Sequence, residues 1–587
     1  MQNLFKVMSL SLLLTAGCSN QSVDNAAVET TYDLIVRNGK IYDGNGGLGF
    51  TGDIAVNADR IVAINKNILG HAKKEIDARG NAVAPGFINI LSWSGETLLA
   101  DGRGQSALRQ GITLEVMGEG ISMGPLSPSM KVALKARQGA TKYDIAWTTL
   151  GEYLQHVADR GTSINIASYL GAATARWNIL GPDDVDPTPE QLKELRKLVK
   201  TAMEEGALGV ASSLIYAPGV YAETDELVAL TEVAGSCGGI YATHMRSEGD
   251  RFLEAIDETI EISKRANTPA HIFHLKVGGV NNWDKMARAA KRIEQVRDNG
   301  VRITADMYPY AASGTGLSAS MPPWVQKGGH NAWIKRLQDP TIRAKVIADM
   351  RDPNPDWENV MQMAGGGENV LLAMFNNPKL KPLIGKTLAD VAKERGISVE
   401  EAAIELVIED NSRVNVIYYT MSEDNLKRKI VLPYVSFSSD GMAISAEGNV
   451  LKSAQHPRSY GAFSRVFSHY VRDLKLITVA QAVHRMSAAP ADILGLKDRG
   501  RLKVGNYADI VIFNIDTIQD YATYTQPHQY SKGVSTVIIN GVEALRDGEP
   551  TSARPGQVVR GRAWTGWSDG GCRSSASDWD WNLNSLL

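Results

Sequence analysis

The chain has 587 residues, 43% of them hydrophobic and 22% charged, with a formal net charge of −3. That length and apolar content can bury a large core, as one big domain with a smaller one or as several domains, and they exclude a disordered chain. No block of Lys or Arg interrupts the sequence, which excludes a nucleic-acid footprint.

The first stretch, "MQNLFKVMSLSLLLTAGC", places Lys6 before an apolar run from Val7 to Leu14 and small residues leading to Cys18. It reads as an export signal over residues 1–18. The run is shorter than the about 20 apolar residues of a membrane span. Its end, "LTAGC", resembles a bacterial lipobox, with Thr15 where leucine is more usual. The resemblance implies a lipid anchor on Cys18 as the only membrane contact, and Ser19 after it implies an outer-membrane lipoprotein facing the periplasm or cell surface. The alternative is a plain cleaved signal with an incidental cysteine. Residues 19–31, polar and without periodicity, then form a tether.

From Asp33, short β-like runs alternate with turns, and "GRLKVGNYADIVIFN" and "VSTVIINGVEAL" repeat the style near the other end. Residues 32–85 and 490–560 are expected to pair into one small β-sandwich domain built from both ends of the chain. Between them, apolar runs alternate with amphipathic helical stretches. The candidate parallel strands are "NAVAPGFINIL", "GITLEVMG", "INIASYLG", "LGVASSL", "GIYATHM", "PAHIFHLK", "VRITADMYPY" and "YVSFSSD". Helices such as "PTPEQLKELRKLVKTAMEEG", with Asp186 as a plausible cap, separate several of them. This α/β pattern predicts a TIM (β/α)8 barrel over residues 86–489. Residues 313–433 exceed an ordinary connection and read as a lid over the barrel mouth. The tail, 561–587, is rich in Trp, Ser and Asp, and nothing in it suggests a role. Cys237 and Cys572 lie far apart in sequence and offer neither a disulfide framework nor a zinc pattern, so both read as structural, with a free thiol as the alternative.

In such a barrel the chemistry lies at the C-terminal ends of the strands. There the sequence offers Glu119 after strand two, His244 after five, His274 after six, Asp306 and Tyr308 after seven, and Asp440 after eight. Imidazoles and carboxylates converging on one mouth suit a metal site, since catalytic zinc keeps three such ligands plus a water. His271 reads as a packed core residue, and His71, His156 and His528 lack any such context.

These residues sit in an ordered series of motifs: "LIVRNGKIYDGNG", "VAPGFIN", "GALGVASSLIYAPGVYAETDEL", "ATHMRSEG", "HLKVGG", "ADMYPYAASGTGLSA", "PPWVQKGG", "SSDG", "HPRSYGAF" and "GRLKVGNYADIVIF". The set resembles the amidohydrolase superfamily, and within it the N-acyl-D-amino-acid deacylases, or D-aminoacylases. The superfamily carries His-x-His at the end of strand one, where this chain has Asn89, Leu91 and Trp93; the strand-two cysteine of D-aminoacylases is Glu119 here. The resemblance therefore implies one divalent metal ion rather than two, held by Glu119, His244 and His274, with zinc expected and the harder carboxylate making manganese less remote. Asn89, Leu91 and Trp93 are expected to wall this one-metal pocket. Asp440 is implied as the catalytic general base and then acid, or as a group that ligates or merely orients the metal water. Lys276, Tyr308 and Arg458 are implied as the holders of the substrate carboxylate, and Trp324 on the lid covers an acyl group or belongs to the lid core. The expected activity is hydrolysis of N-acyl-D-amino acids or short D-residue peptides, a small-molecule partner with no nucleic acid. A D-residue dipeptidase or other amide hydrolase, and a metal-free binding protein, are the alternatives.

Overall fold

A computed structural model describes residues 31–138, 142–567 and 570–581. The export signal, Cys18 and nearly all of the expected tether lie outside the described residues; Thr31 already opens the first strand.

Both ends of the chain build one nine-stranded sheet. Strands Thr31–Ile41, Phe50–Asn57 and Arg60–Asn65 form an antiparallel meander. Ala82–Pro85 then pairs antiparallel with Ile510–Phe513, and through it with Val534–Ile539 and Val542–Arg546. Alternating apolar positions from both ends, including Leu34, Val36, Ile54, Ile510 and Ile538, bury into one cluster.

The next residues form the barrel. Strand one (Phe87–Ser92) pairs in parallel with strand two (Ile112–Met117), and strand two with strand three (Asn165–Ser168). Strand three breaks at Tyr169 and resumes as Leu170–Gly171, which pairs with strand four (Gly209–Ser213). Strands five (Ile240–His244), six (Ala270–Ile272), seven (Ile303–Met307) and eight (Val435–Phe437) follow in register. A parallel bridge between Ser92 and Gly441 closes the ring. Every residue of these strands is buried, as parallel strands covered by helices require.

Several expectations change. The helix Pro189–Glu204 is capped by Thr188, not Asp186, because Thr188 and Gln191 complete a reciprocal capping box. The segment expected as a lid carries its own three-stranded sheet, Ser313–Gly316, Val370–Met374 and Asn415–Tyr418, around a separate core that includes Leu317, Trp333, Val346 and Leu406. Trp324 packs on that core and faces a neighbouring groove, with Nε1 donating to Asp349 at 2.8 Å, so it covers no acyl group in the barrel mouth. Cys237 and Cys572 are joined in a disulfide across 335 residues of sequence. It fastens the tail to the end of the helix Thr224–Ser236, where Arg573 N and Trp579 Nε1 also donate to Ser236 O. The tail is thus a strap on the barrel wall.

Candidate metal centre and active site

Glu119 is presented by the turn after strand two, flanked by Gly118 (φ 106°) and Gly120 (φ 62°). A Cβ on Gly118 would lie 2.4 Å from Tyr169 O, and one on Gly120 would lie 2.4 Å from Ser213 Cβ. Both positions therefore require glycine, and the turn is pressed against strands three and four. His244 ends strand five, and His274 follows strand six with φ 37°. That left-handed backbone is fixed by Asp306, whose Oδ1 accepts from His274 N at 3.0 Å. Asp306 itself is engaged by His271 Nε2 at 2.8 Å and Ser438 Oγ at 2.5 Å, so it supports the site from below and does not enter it. His271 is a buried core residue, as its sequence context implied.

The three side chains meet. His244 Nδ1 lies 3.1 Å from Glu119 Oε1 and 3.0 Å from His274 Nε2, and His274 Nε2 lies 3.1 Å from Glu119 Oε1. All three residues are buried. Donors bound to zinc at about 2.0–2.2 Å in a tetrahedron stand about 3.3 Å apart, close to this spacing. Two imidazole nitrogens facing each other beside a carboxylate cannot all be satisfied by the hydrogens of neutral rings, whereas a cation between them serves all three. The residues fit a divalent metal ion. The electrostatics agree: burial opposes ionisation of Glu119, but the His274 and His244 rings hold its carboxyl well below the usual range. Burial and Lys276 work against a charge on His274, yet Glu248 and Glu119 push its pKa up to about 10. The carboxylates around His274 favour a positive charge at this point.

Glu248 was not anticipated from sequence, although it stands four residues after His244 in "THMRSEG". Its Oε1 lies 3.1 Å from His274 Nδ1 and 2.6 Å from Lys276 Nζ, and its Oε2 lies 3.7 Å from His244 Nε2. Lys276 Nζ also reaches His274 Nδ1 at 2.7 Å. If Nδ1 accepts from Lys276, Nε2 of a neutral ring must carry the proton. If Nδ1–H donates to Glu248, Nε2 turns a lone pair toward Glu119 and His244, the form a metal needs.

Asp440, also left-handed at φ 45°, follows strand eight. Its Oδ1 accepts from Trp93 Nε1 at 3.0 Å and its Oδ2 from Arg458 Nη1 at 2.5 Å. Burial raises its pKa above the ordinary carboxylate value even with the Arg458 charge beside it. Arg458 is aimed by the motif around it: its backbone N donates to His456 Nδ1 at 3.1 Å, while His456 Nε2 bonds Ala312 O at 2.9 Å. Its guanidinium carbon lies 4.9 Å from the centre of the Tyr308 ring.

The strand-one residues divide. Trp93 lines the cavity and holds Asp440. Asn89 and Leu91 do not wall it: Leu91 is core, and Asn89 Nδ2 donates to Glu115 at 3.0 Å and to Ser439 Oγ at 2.7 Å. Ser439 Oγ in turn accepts from Gly441 N at 3.0 Å, so this buried network grips both sides of Asp440. Glu115, an acid inside an otherwise apolar strand, was also missed; burial pushes its pKa up to about 7 despite the hydroxyls of Ser92 and Ser94 and the Asn89 amide.

A cavity of about 590 Å3 brings together Glu119, His244, His274, Lys276, Tyr308, Asp440 and Arg458, all of the residues singled out from sequence for metal, catalysis and carboxylate binding. Tyr308 is buried there, its hydroxyl making no hydrogen bond among the described residues.

Residues 438–544 match the amidohydrolase family. Over 90% of this chain and 96% of the relative, the sequence is 30% identical to the N-acyl-D-glutamate deacylase of Alcaligenes xylosoxydans xylosoxydans. It is 29% identical to the D-aminoacylase of the same organism over 90% of this chain and 97% of that protein. Among solved structures, the N-acyl-D-glutamate deacylase of Bordetella bronchiseptica, complexed with zinc and a phosphonate that mimics the tetrahedral intermediate, superposes with a TM-score of 0.75 at 29% identity, covering 90% of this chain and 100% of that one.

Proposed function

This chain belongs to the N-acyl-D-amino-acid deacylase family of the amidohydrolases, and from that premise we propose that it hydrolyses the amide bond of N-acyl-D-amino acids with one divalent metal ion, zinc, held by Glu119, His244 and His274. The observation that carries the reading is the convergence of these three donors at about 3 Å from one another in the cavity that also holds Asp440. When bound, such an ion polarises a carbonyl and makes water more acidic.

The remaining work falls to the side chains. Asp440 accepts the proton of the attacking water and returns it to the nitrogen of the leaving amine, a task suited to a carboxylate whose pKa is raised by burial. Trp93 and Arg458 fix its two oxygens, so the carboxylate is aimed before substrate arrives. Arg458 also presents its guanidinium to the substrate carboxylate, with Tyr308 and Lys276 completing the pocket. A carboxylate docking on Arg458 draws its charge away from Asp440, which makes the base stronger in the substrate complex. Glu248 pairs with Lys276 at 2.6 Å and turns the His274 imidazole toward the metal site.

The test is a screen of N-acyl-D- and N-acyl-L-amino acids alongside measured metal content. Turnover of D-compounds by a protein carrying one metal per chain supports the reading; a metal-free protein with no metal-stimulated amide hydrolysis refutes it.

The enzyme is further proposed to be exported and anchored through lipidated Cys18. The disulfide between Cys237 and Cys572 supports export, since such bonds persist in oxidising compartments. Labelling with a radioactive fatty acid that depends on Cys18 tests the anchor.

A further inference from the structure

Four cations line the cavity: Lys276, Arg458, Arg413 and Arg137. The first two are neutralised, Lys276 by Glu248 at 2.6 Å and Arg458 by Asp440 at 2.5 Å. Arg413 and Arg137 have no carboxylate at ion-pair distance among the described residues. Burial and then the Arg413 charge act against the charge on Arg137, with Glu96 acting the other way.

Arg413 is held in a defined pose. Its Nε donates to Ser318 Oγ at 3.2 Å and its Nη2 to Thr315 Oγ1 at 3.0 Å, both neutral partners that fix the guanidinium without discharging it. Nη1 donates to no protein group among the described residues. The guanidinium carbon lies 5.1 Å from the centre of the Tyr216 ring, which stacks edge-on at 5.3 Å against His244. Arg413 and the metal cluster are therefore separated by the thickness of one aromatic residue. The next residue, Val414, has φ 50°, a conformation that β-branched residues avoid and that persists only where surrounding contacts impose it.

We propose that Arg413, with Arg137 beside it, forms a second anion subsite, so that the preferred substrate carries a carboxylate in addition to the α-carboxylate of its amino acid. This rests on the deacylase reading and narrows it. The extra carboxylate has two chemical sources, the side chain of an acidic amino acid or the far end of a dicarboxylic acyl group.

The experiment compares kcat/KM within isosteric pairs: N-acetyl-D-glutamate against N-acetyl-D-glutamine for the side-chain source, and N-succinyl-D-alanine against its terminal amide for the acyl source. A charge-assisted pair of hydrogen bonds predicts a preference of about tenfold or more for the diacid in one of the two pairs. Arg413→Met is expected to collapse that ratio toward one, chiefly through KM, and Arg137→Met to reduce it by a smaller factor. Each ratio is read within one protein, so partial misfolding of a variant cancels. Calorimetric titration of metal-loaded enzyme with glutarate and with butyrate reads the subsite without turnover. Glutarate binding that depends on Arg413 in a protein that hydrolyses no amide would overturn the deacylase reading and leave the subsite standing. Equal rates within both pairs, or a diacid preference and glutarate affinity unchanged in Arg413→Met, would overturn the subsite.

Discussion

Replacing Glu248 with glutamine removes one charge from beneath the metal cluster and leaves the shape almost unchanged. The carboxylate faces His274 Nδ1 at 3.1 Å, with His244 Nε2 farther off at 3.7 Å, and a glutamine amide offers one oxygen and no charge in its place. Loss of such a partner lowers metal affinity by about 10–100-fold, or about 1.4–2.7 kcal/mol. A contrary effect has to be weighed. Glu248 also helps push the His274 pKa up to about 10, so in the metal-free protein it favours a proton that competes with the metal. The same negative charge, however, acts on a divalent ion with twice the force it exerts on a proton, and the net change remains a loss of affinity. The second consequence is structural. Lys276, buried with Glu248 at 2.6 Å, loses its counter-ion, and breaking a buried pair costs about 3–5 kcal/mol. Competition with a chelator measures the affinity, and thermal melting of metal-free and metal-loaded protein separates the two effects. Glu248→Gln that holds metal as tightly as the parent, with an unchanged melt, refutes the assignment of Glu248 as the residue that orients His274.

Asp440→Asn is expected to retain metal and lose about 100- to 10,000-fold in kcat, as removal of a general base does; full activity in this variant excludes Asp440 as the base. Trp93→Phe removes the indole donor to Asp440 and keeps an aromatic wall, and is expected to lower kcat about tenfold with metal content unchanged, checked by steady-state kinetics with metal analysis. Burial pushes the Glu115 pKa up to about 7 from the ordinary 4.5, so the native state holds its proton where the unfolded chain has released it. The stability this confers is complete below about pH 4.5 and is lost as pH rises through about 7; Glu115→Gln should flatten that part of the profile and stabilise the protein at pH 8 by up to about 3 kcal/mol, measured by denaturant unfolding. Cys237→Ser is expected to cost about 2–5 kcal/mol and lower the melting temperature under oxidising conditions, while leaving the parent's reduced form similar to the variant.

The residues legible in the sequence are those whose role follows from place on a strand. Glu119, His244, His274 and Asp440 each end an apolar run, and in a barrel the ends of such runs share one mouth. What escaped depends on neighbours distant in the chain. The Trp93–Asp440 hydrogen bond spans 347 positions, and the Cys237–Cys572 bond spans 335. No periodicity records such pairings. Glu115 lay hidden because an acid within an apolar strand breaks the pattern used to find the strand. Arg413 escaped because its meaning lies in having neutral partners and no carboxylate among the described residues, which only packing reveals. The sequence did signal that strand one had changed its chemistry, but only the structure shows that Trp93 took over the grip on Asp440 while Asn89 joined the network beneath it.

The pairing of Ala82–Pro85 with Ile510–Phe513 has a consequence for synthesis of the molecule. The strands made first must wait for the strands made last, with the whole barrel between them. Until then Ala82–Pro85 presents an open sheet edge directly before the strand that carries Asn89, and open edges recruit foreign strands. A chain cut short anywhere before residue 510 therefore lacks more than its C-terminal end. It leaves Ala82–Pro85, the strand just ahead of the barrel, without its antiparallel neighbour, so truncated products are expected to aggregate and not to survive as smaller working enzymes.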